Sequence, residues 1–570
     1  MTFKKQILSV FLIISLLLTG CRTGSIPTNA NTAFENFTYC FFQQEVSSNT
    51  INLHYSLQNP ETYGITDTPI SLGSYDIDPA ASLASIENWE ASLKKFSYYS
   101  LSQENQLTYE ILSDYFSSLK EGISYYLYNE PLSPITGIHT QLPVLLAEYQ
   151  LQNKQEIDTY LQLLQTMPDY FESLIRFQQQ KSAAGLFMSD SIVDDVLEQC
   201  NAFLSMGEEN YLLSSFEERL NGISKLSNKE KEDYISQNHS IIFTYVTPSY
   251  EMLITALSDL KGSCSNNQGV CAFPDGQAYY SYLVASETGS SRTISELKEL
   301  ISKQITTDLL EMQQIVQEKP SVLENESSIS GSPETILKSL KERISTAFPP
   351  PASVNVEVKY VPEALQKYLS PAFYLIPAID GFTENTIYIN ELFDMDSISL
   401  FTTLAHEGYP GHLYQTTYFA STYPDPIRTL LAYSGYVEGW ATYAEMCSYY
   451  ISSLEKDYAT LLQKNNSLIL GLYAMADIGI HHDGWTVAQT IDFFSQYGIS
   501  DEATIQEIYR YIVGDPANYV TYYVGYIEIL ELKRLFIEKT GDKFSQENFH
   551  KKILELGPAP FDILKTYLFR

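Results

Sequence analysis

The spacing of apolar and polar residues predicts helices along most of the chain. Between residues 103 and 127, apolar side chains recur at intervals of three and four positions, which places them on one face of a helix. The same spacing recurs in four further stretches, at 155–180, 190–205, 228–260 and 294–318. Turn-rich segments at 129–137 and 320–334 separate these helices. The pattern therefore predicts a mainly α fold.

One region, 354–390, has a different pattern. The run VNVEVKYVP, which begins at Val354, alternates apolar and polar residues as a half-buried strand does. Two further strands are predicted in AFYLIPAIDG and NTIYIN, with a turn at Asp380-Gly381 between them. We expect these three strands to form a small antiparallel sheet.

Beyond residue 395 the spacing is again typical of helices. Thr486 and Gln489 have the separation of a capping box, which predicts the start of a helix. The run Gly514-Asp515-Pro516 predicts the end of another helix, and Gly541 predicts the end of the next.

The N-terminal residues have the features of an export signal. Lys4 and Lys5 precede an apolar run that is too short to span a bilayer comfortably, and Leu-Thr-Gly-Cys at 18–21 resembles a bacterial lipobox. We expect 1–20 to be a lipoprotein signal peptide, Cys21 to carry the lipid, and 21–33 to be a polar tether. An ordinary secretory signal is the alternative. Either reading places the protein outside the cytoplasm, and the lipid would hold it at the cell membrane.

The net charge and the hydropathy of the chain exclude some classes of binding partner. The net charge of −34 argues against binding to nucleic acid, because the phosphates would be repelled. No stretch after the leader is apolar over the ~20 residues that a membrane-spanning helix needs. We therefore expect 34–570 to form a single, mainly helical domain that meets the membrane only through the N-terminal lipid. The oligomeric state stays open.

The six cysteines do not form a disulfide framework in so long a chain. Cys264 and Cys271 flank a turn-like loop and could close a small disulfide outside the cytoplasm. Two free thiols are the alternative.

The stretch LAHEGYPGHLYQ, residues 404–415, contains a candidate metal site. His406 and His412 are six positions apart, which on a regular helix separates them by about 120°, too far for one ion. Pro410 lacks the N–H that would bond to the carbonyl of His406, and Gly411 permits unusual backbone angles. Together they can break the helix and bring the two imidazoles together. A plain helix end is the alternative.

A carboxylate further along the chain suits the third ligand position. Glu438 opens EGWATYAE, which is predicted to be helical, and Glu445 lies seven residues later on the same helical face. We expect Glu438 to bind zinc and Glu445 to orient a ligand histidine. For Glu445, a solvated surface position is the alternative. Of His481 and His482, adjacent on a helix, we expect only one to reach the site.

These segments resemble the signature of a large bacterial family designated domain of unknown function 885. The matching blocks are HEGYPGH (406–412), EGWATYAE (438–445), DIGIHHDGWT, with Asp477, Gly479 and His481, and a last block with Glu507, Arg510, Tyr511, Tyr522 and Gly525. Departures occur at Leu413, Ala517 and Asn518, and the resemblance is specific across about 354–535. It implies a helical body with a deep cleft, related to helical zinc peptidases. It also implies that Asp477 is a supporting residue of the site.

These residues lead to one mechanistic hypothesis, the hydrolysis of a peptide bond with Zn²⁺ as cofactor. Glu407, beside the first ligand, is the expected general base for a water that zinc activates. Tyr522 and His481 are the candidate donors to the developing oxyanion.

Two further residues are candidates for contact with a peptide substrate. Arg510 suits a substrate carboxylate, with a structural salt bridge as the alternative. The strand at 385–390, which contains Tyr388, could align an extended peptide along its edge.

Two other functions remain open. One is a surface lipoprotein that binds peptides or glycans without catalysis, and the other is a zinc amidase that acts on cell-wall peptides.

Overall fold

The structure is a computed structural model that describes residues 29–75, 78–263, 266 and 268–570. The expected signal peptide, the lipidation site Cys21 and Cys264 lie outside the described residues, whereas Cys271 is a free thiol. The first helix begins at Ala30, because the Asn29 side chain accepts a hydrogen bond from the backbone N–H of Thr32. The predicted tether is therefore too long, since its last four residues are helical.

The chain before the sheet is helical, as predicted. Its helices are α1 (Ala30–Val46), α2 (Thr50–Ser56), α3 (Ala80–Leu93), α4 (Gln103–Gly122), α5 (Ile138–Ala147), α6 (Lys154–Gln165), α7 (Met167–Ala183), α8 (Asp190–Ser205), α9 (Tyr211–Asn221), α10 (Asn228–Ile241), α11 (Thr247–Leu260), α12 (Gly276–Thr288), α13 (Ile294–Glu318) and α14 (Pro333–Arg343).

Three strands and a second set of helices follow. The strands are β1 (Asn355–Tyr360), β2 (Ala372–Leu375) and β3 (Glu384–Ile389). The helices are α15 (Ser397–Glu407), α16 (His412–Ala420), α17 (Pro426–Leu430), α18 (Ser434–Ile451), α19 (Lys456–His481), α20 (Val487–Ser495), α21 (Glu502–Gly514), α22 (Asn518–Thr540), α23 (Gln546–Leu556) and α24 (Phe561–Leu568). Among the described residues, none of these helices combines the length and apolarity needed to cross a bilayer.

Most predicted helix limits are confirmed, and two predicted helices are divided. The prediction at 228–260 covers α10 and α11, which a π-helical turn at Ile242–Val246 joins. The predictions at 190–205 and 294–318 coincide with α8 and α13. The predicted helix at 155–180 is instead two helices, α6 and α7, which meet at Thr166. Pro168 lies in the first turn of α7, where its missing N–H is tolerated. In the interior of one continuous helix the same proline would break the helix.

The sheet is mixed, so the prediction of an antiparallel sheet is wrong for one pair of strands. The strand order is β1-β3-β2, in which β2 pairs antiparallel and β1 pairs parallel with β3. The central position of β3 means that both of its edges are already paired. A peptide therefore cannot add to the strand at 385–390, contrary to our expectation.

The sheet separates two hydrophobic cores. Alternate residues of a strand point to opposite faces, and here Ile387 and Ile389 join one core while Tyr388 joins the other. The core on the side of Ile387 contains the buried side chains of α15, α18, α19 and α22. The second core is formed largely by α5 to α11. The predicted candidate ligands all belong to helices of the first core.

The helices α18 and α22 are in backbone contact. A Cβ atom added at Gly439 would lie 2.3 Å from the carbonyl carbon of Gly525, and one added at Gly525 would lie 2.0 Å from the carbonyl oxygen of Gly435. Such distances leave room only for hydrogen atoms. The contact fixes the position of Glu438, on α18, relative to Tyr522, on α22.

We expect Gly525→Ala to destabilise the protein, because the added methyl group forces the two helices apart. The expected loss in the free energy of unfolding is about 1–3 kcal/mol, the usual cost of overpacking, measured by urea unfolding. Gly222→Ala is the matched control, since its Cβ would come no closer than 3.3 Å to any neighbouring atom. Equal stability of the two variants would contradict a backbone contact between α18 and α22.

Candidate metal centre

A break between α15 and α16 brings the two motif histidines together. The helix α15 ends at Glu407, and α16 begins at His412. In the turn, the Gly411 N–H donates to the carbonyl of Ala405 at 2.9 Å, and a Cβ at this position would lie 1.8 Å from the carbonyl oxygen of His406. Only glycine fits such a close approach. The indole N–H of Trp440, on α18, donates to the carbonyl of Pro410 at 2.8 Å and anchors the turn.

The side chains of His406, His412 and Glu438 converge on one point. The two imidazole ring centres are 4.8 Å apart and the rings are nearly perpendicular. The Oε2 atom of Glu438 lies 3.2 Å from Nε2 of His412 and 3.8 Å from Nε2 of His406. Ligands about 2.1 Å from a tetrahedral zinc ion are roughly 3.4 Å apart. Two nitrogens and one oxygen at these separations fit a zinc site with three protein ligands.

Burial adds a second argument for a bound cation. His412 is fully buried; its Nε2 atom contacts the Glu438 carboxylate at 3.2 Å but lacks a well-aligned hydrogen bond, as does its Nδ1 atom, among the described residues. Buried polar atoms in proteins almost always have a partner. A cation bound at Nε2 would supply one for this atom.

Glu445 occupies the supporting position that we predicted for it. Its Oε2 atom lies 3.2 Å from Nδ1 of His406, and its Oε1 atom accepts a hydrogen bond of 2.7 Å from the side chain of Asn466. An Nδ1–H that donates to a carboxylate leaves Nε2 of His406 directed at the candidate ion. The sequence does not single out Asn466, because only the packing of α18 against α19 brings it to Glu445.

Metal binding at the cluster is coupled to the protonation state of its residues. Burial alone would lower the pKa of His406, but the nearby carboxylates of Glu438 and Glu445 outweigh it and raise this pKa to about 10. Burial also opposes ionisation of Glu438, yet the two histidines hold its pKa well below the usual range. Burial lowers the pKa of His412. Without an ion, the cluster thus contains a proton on His406, and binding of a metal cation would release it.

Glu407 is held beside the cluster by the sheet. Its side chain is buried, and its Oε2 atom accepts a hydrogen bond of 2.8 Å from the backbone N–H of Tyr374 in β2. This contact fixes one carboxylate oxygen of the predicted general base. It also links the small sheet to the motif helix.

Tyr522 also lies at the cluster. Its ring is stacked at 6.4 Å from the ring of His406. Burial, followed by the charges of Glu438 and Glu407, raises the pKa of its hydroxyl well above the usual value. The hydroxyl therefore keeps its proton and is available as a hydrogen-bond donor. Together with Glu438, Tyr522 lines a cavity of about 260 Å³.

His481 does not take the catalytic position that we expected. It is fully buried, its Nδ1 accepts a hydrogen bond of 3.1 Å from the Val270 N–H, and its Nε2 donates to the carbonyl of Ile512 at 2.7 Å. Both ring nitrogens are thus engaged by backbone groups. His481 therefore joins three chain segments and is no oxyanion donor, contrary to our expectation. Its neighbour His482 hydrogen-bonds to Asp483.

Asp477 supports a helix start and does not touch a ligand histidine. Its Oδ1 atom accepts hydrogen bonds from the Tyr280 hydroxyl at 2.7 Å and from the Ala517 N–H at 3.1 Å. Ala517 directly precedes α22, the helix that carries Tyr522. The effect of Asp477 on the cluster is therefore indirect.

The two residues expected to bind substrate lie elsewhere. Arg510 is exposed and forms an ion pair of 3.3 Å with Asp195, which is the structural alternative considered above. Tyr388 donates a hydrogen bond of 2.9 Å to Glu148, and its ring stacks on Phe373 in the second core. Neither residue lines the cavity at Glu438.

The fold and this cluster define a mainly helical protein with a histidine–carboxylate site suited to a divalent metal. The chain belongs to the family described as "Bacterial protein of unknown function (DUF885)", whose model matches residues 74–568. No curated protein matches the chain.

Two solved structures are similar in fold. One is a lipoprotein candidate from Colwellia psychrerythraea, with 20% identity, a TM-score of 0.81, and coverage of 100% of this chain and 99% of the other. The second is a lipoprotein candidate of unknown function from Shewanella oneidensis, with 17% identity, a TM-score of 0.65, and coverage of 95% and 99%. At these identities the similarity establishes the fold alone.

We expect Glu438→Ala to lose most of the bound zinc, because it removes the only carboxylate among the three candidate ligands. Glu445→Ala should weaken zinc binding by about 10–100-fold, the usual effect of losing a residue that orients a ligand. Elemental analysis after dialysis, followed by titration against a chelating dye, measures both. Glu502→Ala, at the exposed start of α21, is the control. Unchanged zinc in Glu438→Ala would place the third ligand elsewhere.

Proposed function

We propose that this protein is a zinc-dependent peptidase in which His406, His412 and Glu438 bind the metal. The observation that carries the proposal is the separation of their ligand atoms, which all lie within 4.8 Å of one another. Structural zinc sites use four protein ligands, whereas three ligands leave a position open for a reacting molecule. The buried carboxylate of Glu407 beside the cluster supports catalysis, because a purely structural site needs no acid–base group.

In this proposal Glu407 moves the proton. Zinc held by the three ligands would lower the pKa of a water molecule towards ~7 and polarise the peptide carbonyl. Glu407 takes the proton from the attacking water and passes it to the leaving amine, so that the carboxylate is ionised again at the end of the reaction. The hydrogen bond from the Tyr374 N–H keeps Glu407 in one orientation throughout.

Tyr522 has the properties of a donor to the developing oxyanion. Its raised pKa keeps the proton on its hydroxyl, and its ring lies against His406. A neutral donor that is already oriented stabilises the charge as it forms without first reorganising. His481 has no part in this mechanism, since both of its ring nitrogens bind backbone groups.

We further propose that the protein is attached by lipid at Cys21 and acts outside the cytoplasm. The lipobox-like sequence at 18–21 supports this location, as do the two fold neighbours described as lipoprotein candidates. In this arrangement the substrate is a peptide outside the membrane, and nucleic acid is not a partner.

Two other functions remain as outcomes of the test. A binding lipoprotein would capture peptides or glycans without cleaving them, and a zinc amidase would act on cell-wall peptides. Incubation of the zinc-loaded protein with a peptide library and with purified wall fragments, each with and without a chelator, separates the three. Chelator-sensitive cleavage of the library supports the peptidase, and binding without any cleavage would overturn it.

We expect Glu407→Gln to retain zinc and to lower kcat by at least about 100-fold, because loss of a general acid–base group usually costs this much. Product formation from a cleavable library peptide measures the rate, and elemental analysis confirms the metal. The glutamine keeps the size of the side chain and can still accept from the Tyr374 N–H. Turnover near that of the wild type would exclude Glu407 as the base.

We expect Tyr522→Phe to lower kcat by about 100-fold, the typical effect of losing one oxyanion donor, with little change in KM or zinc content. Tyr511→Phe is the matched control, because its hydroxyl is exposed and bonds only to Glu507 among the described residues. If both variants keep full activity, the donor to the oxyanion is another group.

A further inference from the structure

The cavity beside the metal centre extends well beyond the three ligands. Glu438, Ser434 and Tyr522 form part of its lining. The rest comes from the segment after α4, from the end of α7 and the start of α8 with the residues between them, from the loop before α12 and α12 itself, and from the turn between α21 and α22. Its volume of about 260 Å³ is below the range of about 300–1,000 Å³ for drug-sized ligands. It therefore suits one amino-acid side chain or one peptide terminus.

The ionisable side chains in the lining are mostly acidic. Four carboxylates, those of Glu130, Glu287, Glu438 and Asp515, line the cavity together with one cation, Lys181. Since Glu438 is assigned to the metal, the preference of the cavity depends on the other three carboxylates and on Lys181.

Lys181, the one cation among the described lining residues, is already engaged. Lys181 is buried, and its Nζ atom donates to the carbonyls of Leu127 at 3.0 Å and Asn129 at 2.7 Å. It also lies 3.3 Å from the Oε2 atom of Glu130. These contacts use the three N–H donors of an ammonium group and neutralise Glu130. Among the described residues of the lining, an anionic ligand therefore finds no uncommitted cation.

Asp515 is the carboxylate that most needs a partner. It lines the cavity, and its buried Oδ2 atom has no hydrogen-bond partner among the described residues. Burial, followed by the like charges of Asp477 and Glu287, raises its pKa to about 8. Leaving a buried carboxylate oxygen unpaired costs free energy, which a cation between Asp515 and Glu287 would recover.

The acidic part of the cavity is close to the reaction centre. Tyr522 interacts electrostatically with Glu438 and Glu407 and also with Asp515. Apolar side chains also line the cavity, among them Leu186, Met188, Ile192, Phe273 and Leu283. A long aliphatic stem with a charged end matches such a lining, because the stem packs on apolar atoms while the charged end reaches the carboxylates.

We propose that this cavity is a substrate subsite for a cationic group of a peptide, bound between Asp515 and Glu287. The ammonium or guanidinium of a lysine or arginine side chain has this chemistry, and so does a free α-amino group. The inference deepens the proposed function, because it assumes that the ligand of the site is a peptide.

Binding to zinc-loaded Glu407→Gln protein tests the subsite without turnover. The probes are matched peptides in which one position is lysine, norleucine or glutamate, each made with a free and with an acetylated N-terminus. We expect at least one cationic form to bind at least about tenfold more tightly than its neutral counterpart, as a charged hydrogen bond predicts. Equal Kd values for the lysine and norleucine peptides, with no effect of acetylation, would overturn the proposal.

The two sources of the cation give different results. A preference for lysine over norleucine that survives acetylation identifies a side-chain subsite. Tighter binding of the peptides with a free N-terminus than of their acetylated forms, whichever residue occupies the variable position, identifies the α-amino group as the ligand. Both outcomes support the subsite and differ only in which part of the peptide it binds.

Substitution of the carboxylate tests its role directly. In the Glu407→Gln background, Asp515→Asn should bring the Kd values of the preferred cationic probe and its neutral counterpart to within about twofold of each other. Glu287→Gln is the second variant, and Asp195→Asn, a carboxylate outside the cavity, is the control. Circular dichroism and zinc content establish that each variant is folded. A preference that persists in both cavity variants would contradict the assignment.

A pH series adds a readout that a merely structural role would not change. The groups that surround Asp515 are the carboxylates of Asp477 and Glu287 and the hydroxyls of Thr136, Tyr279, Tyr519 and Tyr522. The cation binds the ionised carboxylate, so affinity for the lysine probe with an acetylated N-terminus, whose side chain stays charged in this range, should rise as the pH rises through about 8. In Asp515→Asn this rise should disappear, whereas its persistence would exclude Asp515.

Failure of the subsite and failure of the proposed function are distinguishable. If the wild-type protein cleaves none of the peptides but binds cationic ones preferentially, the peptidase proposal fails and the subsite remains. If it cleaves lysine, norleucine and glutamate peptides equally well, with no effect of N-terminal acetylation, the peptidase remains and the subsite fails.

Discussion

The close approach of Gly411 to the carbonyl of His406 is the constraint on which the site depends. A continuous helix would carry the two motif histidines about 120° apart. The turn at Pro410 and Gly411 ends α15 and restarts the chain as α16, and the perpendicular imidazole rings become neighbours. Because a Cβ at 411 would overlap the carbonyl, the sequence has little freedom there. The motif thus encodes a backbone shape as much as a set of ligands.

The remaining parts of the site are placed by contacts between distant segments. The glycine contact of α18 with α22 brings Glu438 and Tyr522 to the histidines, and β2 holds Glu407 through its backbone. These contacts confine several carboxylates to a buried region. Such an arrangement lowers stability unless cations bind there. In our account, the metal compensates one part of this charge, and a cationic substrate compensates the part around Asp515.

The sequence predicts those features that are determined by neighbouring residues. The limits of α8 and α13 follow from the caps Ser189 and Thr293, and the convergence of His406 and His412 follows from the residues between them. Features that depend on remote partners could not be predicted. Arg510 pairs with Asp195, 315 positions away, and Tyr388 bonds to Glu148, 240 positions away. The parallel pairing of β1 with β3 and the backbone contacts of His481 also arise only in the folded chain.

The most direct test of the account is anomalous X-ray diffraction at the zinc absorption edge, from crystals of the purified protein. We expect one strong anomalous peak, about 2.0–2.2 Å from Nε2 of His406, Nε2 of His412 and a carboxylate oxygen of Glu438. An empty position between these three side chains in zinc-loaded crystals, or a zinc ion bound only elsewhere on the molecule, would contradict the account.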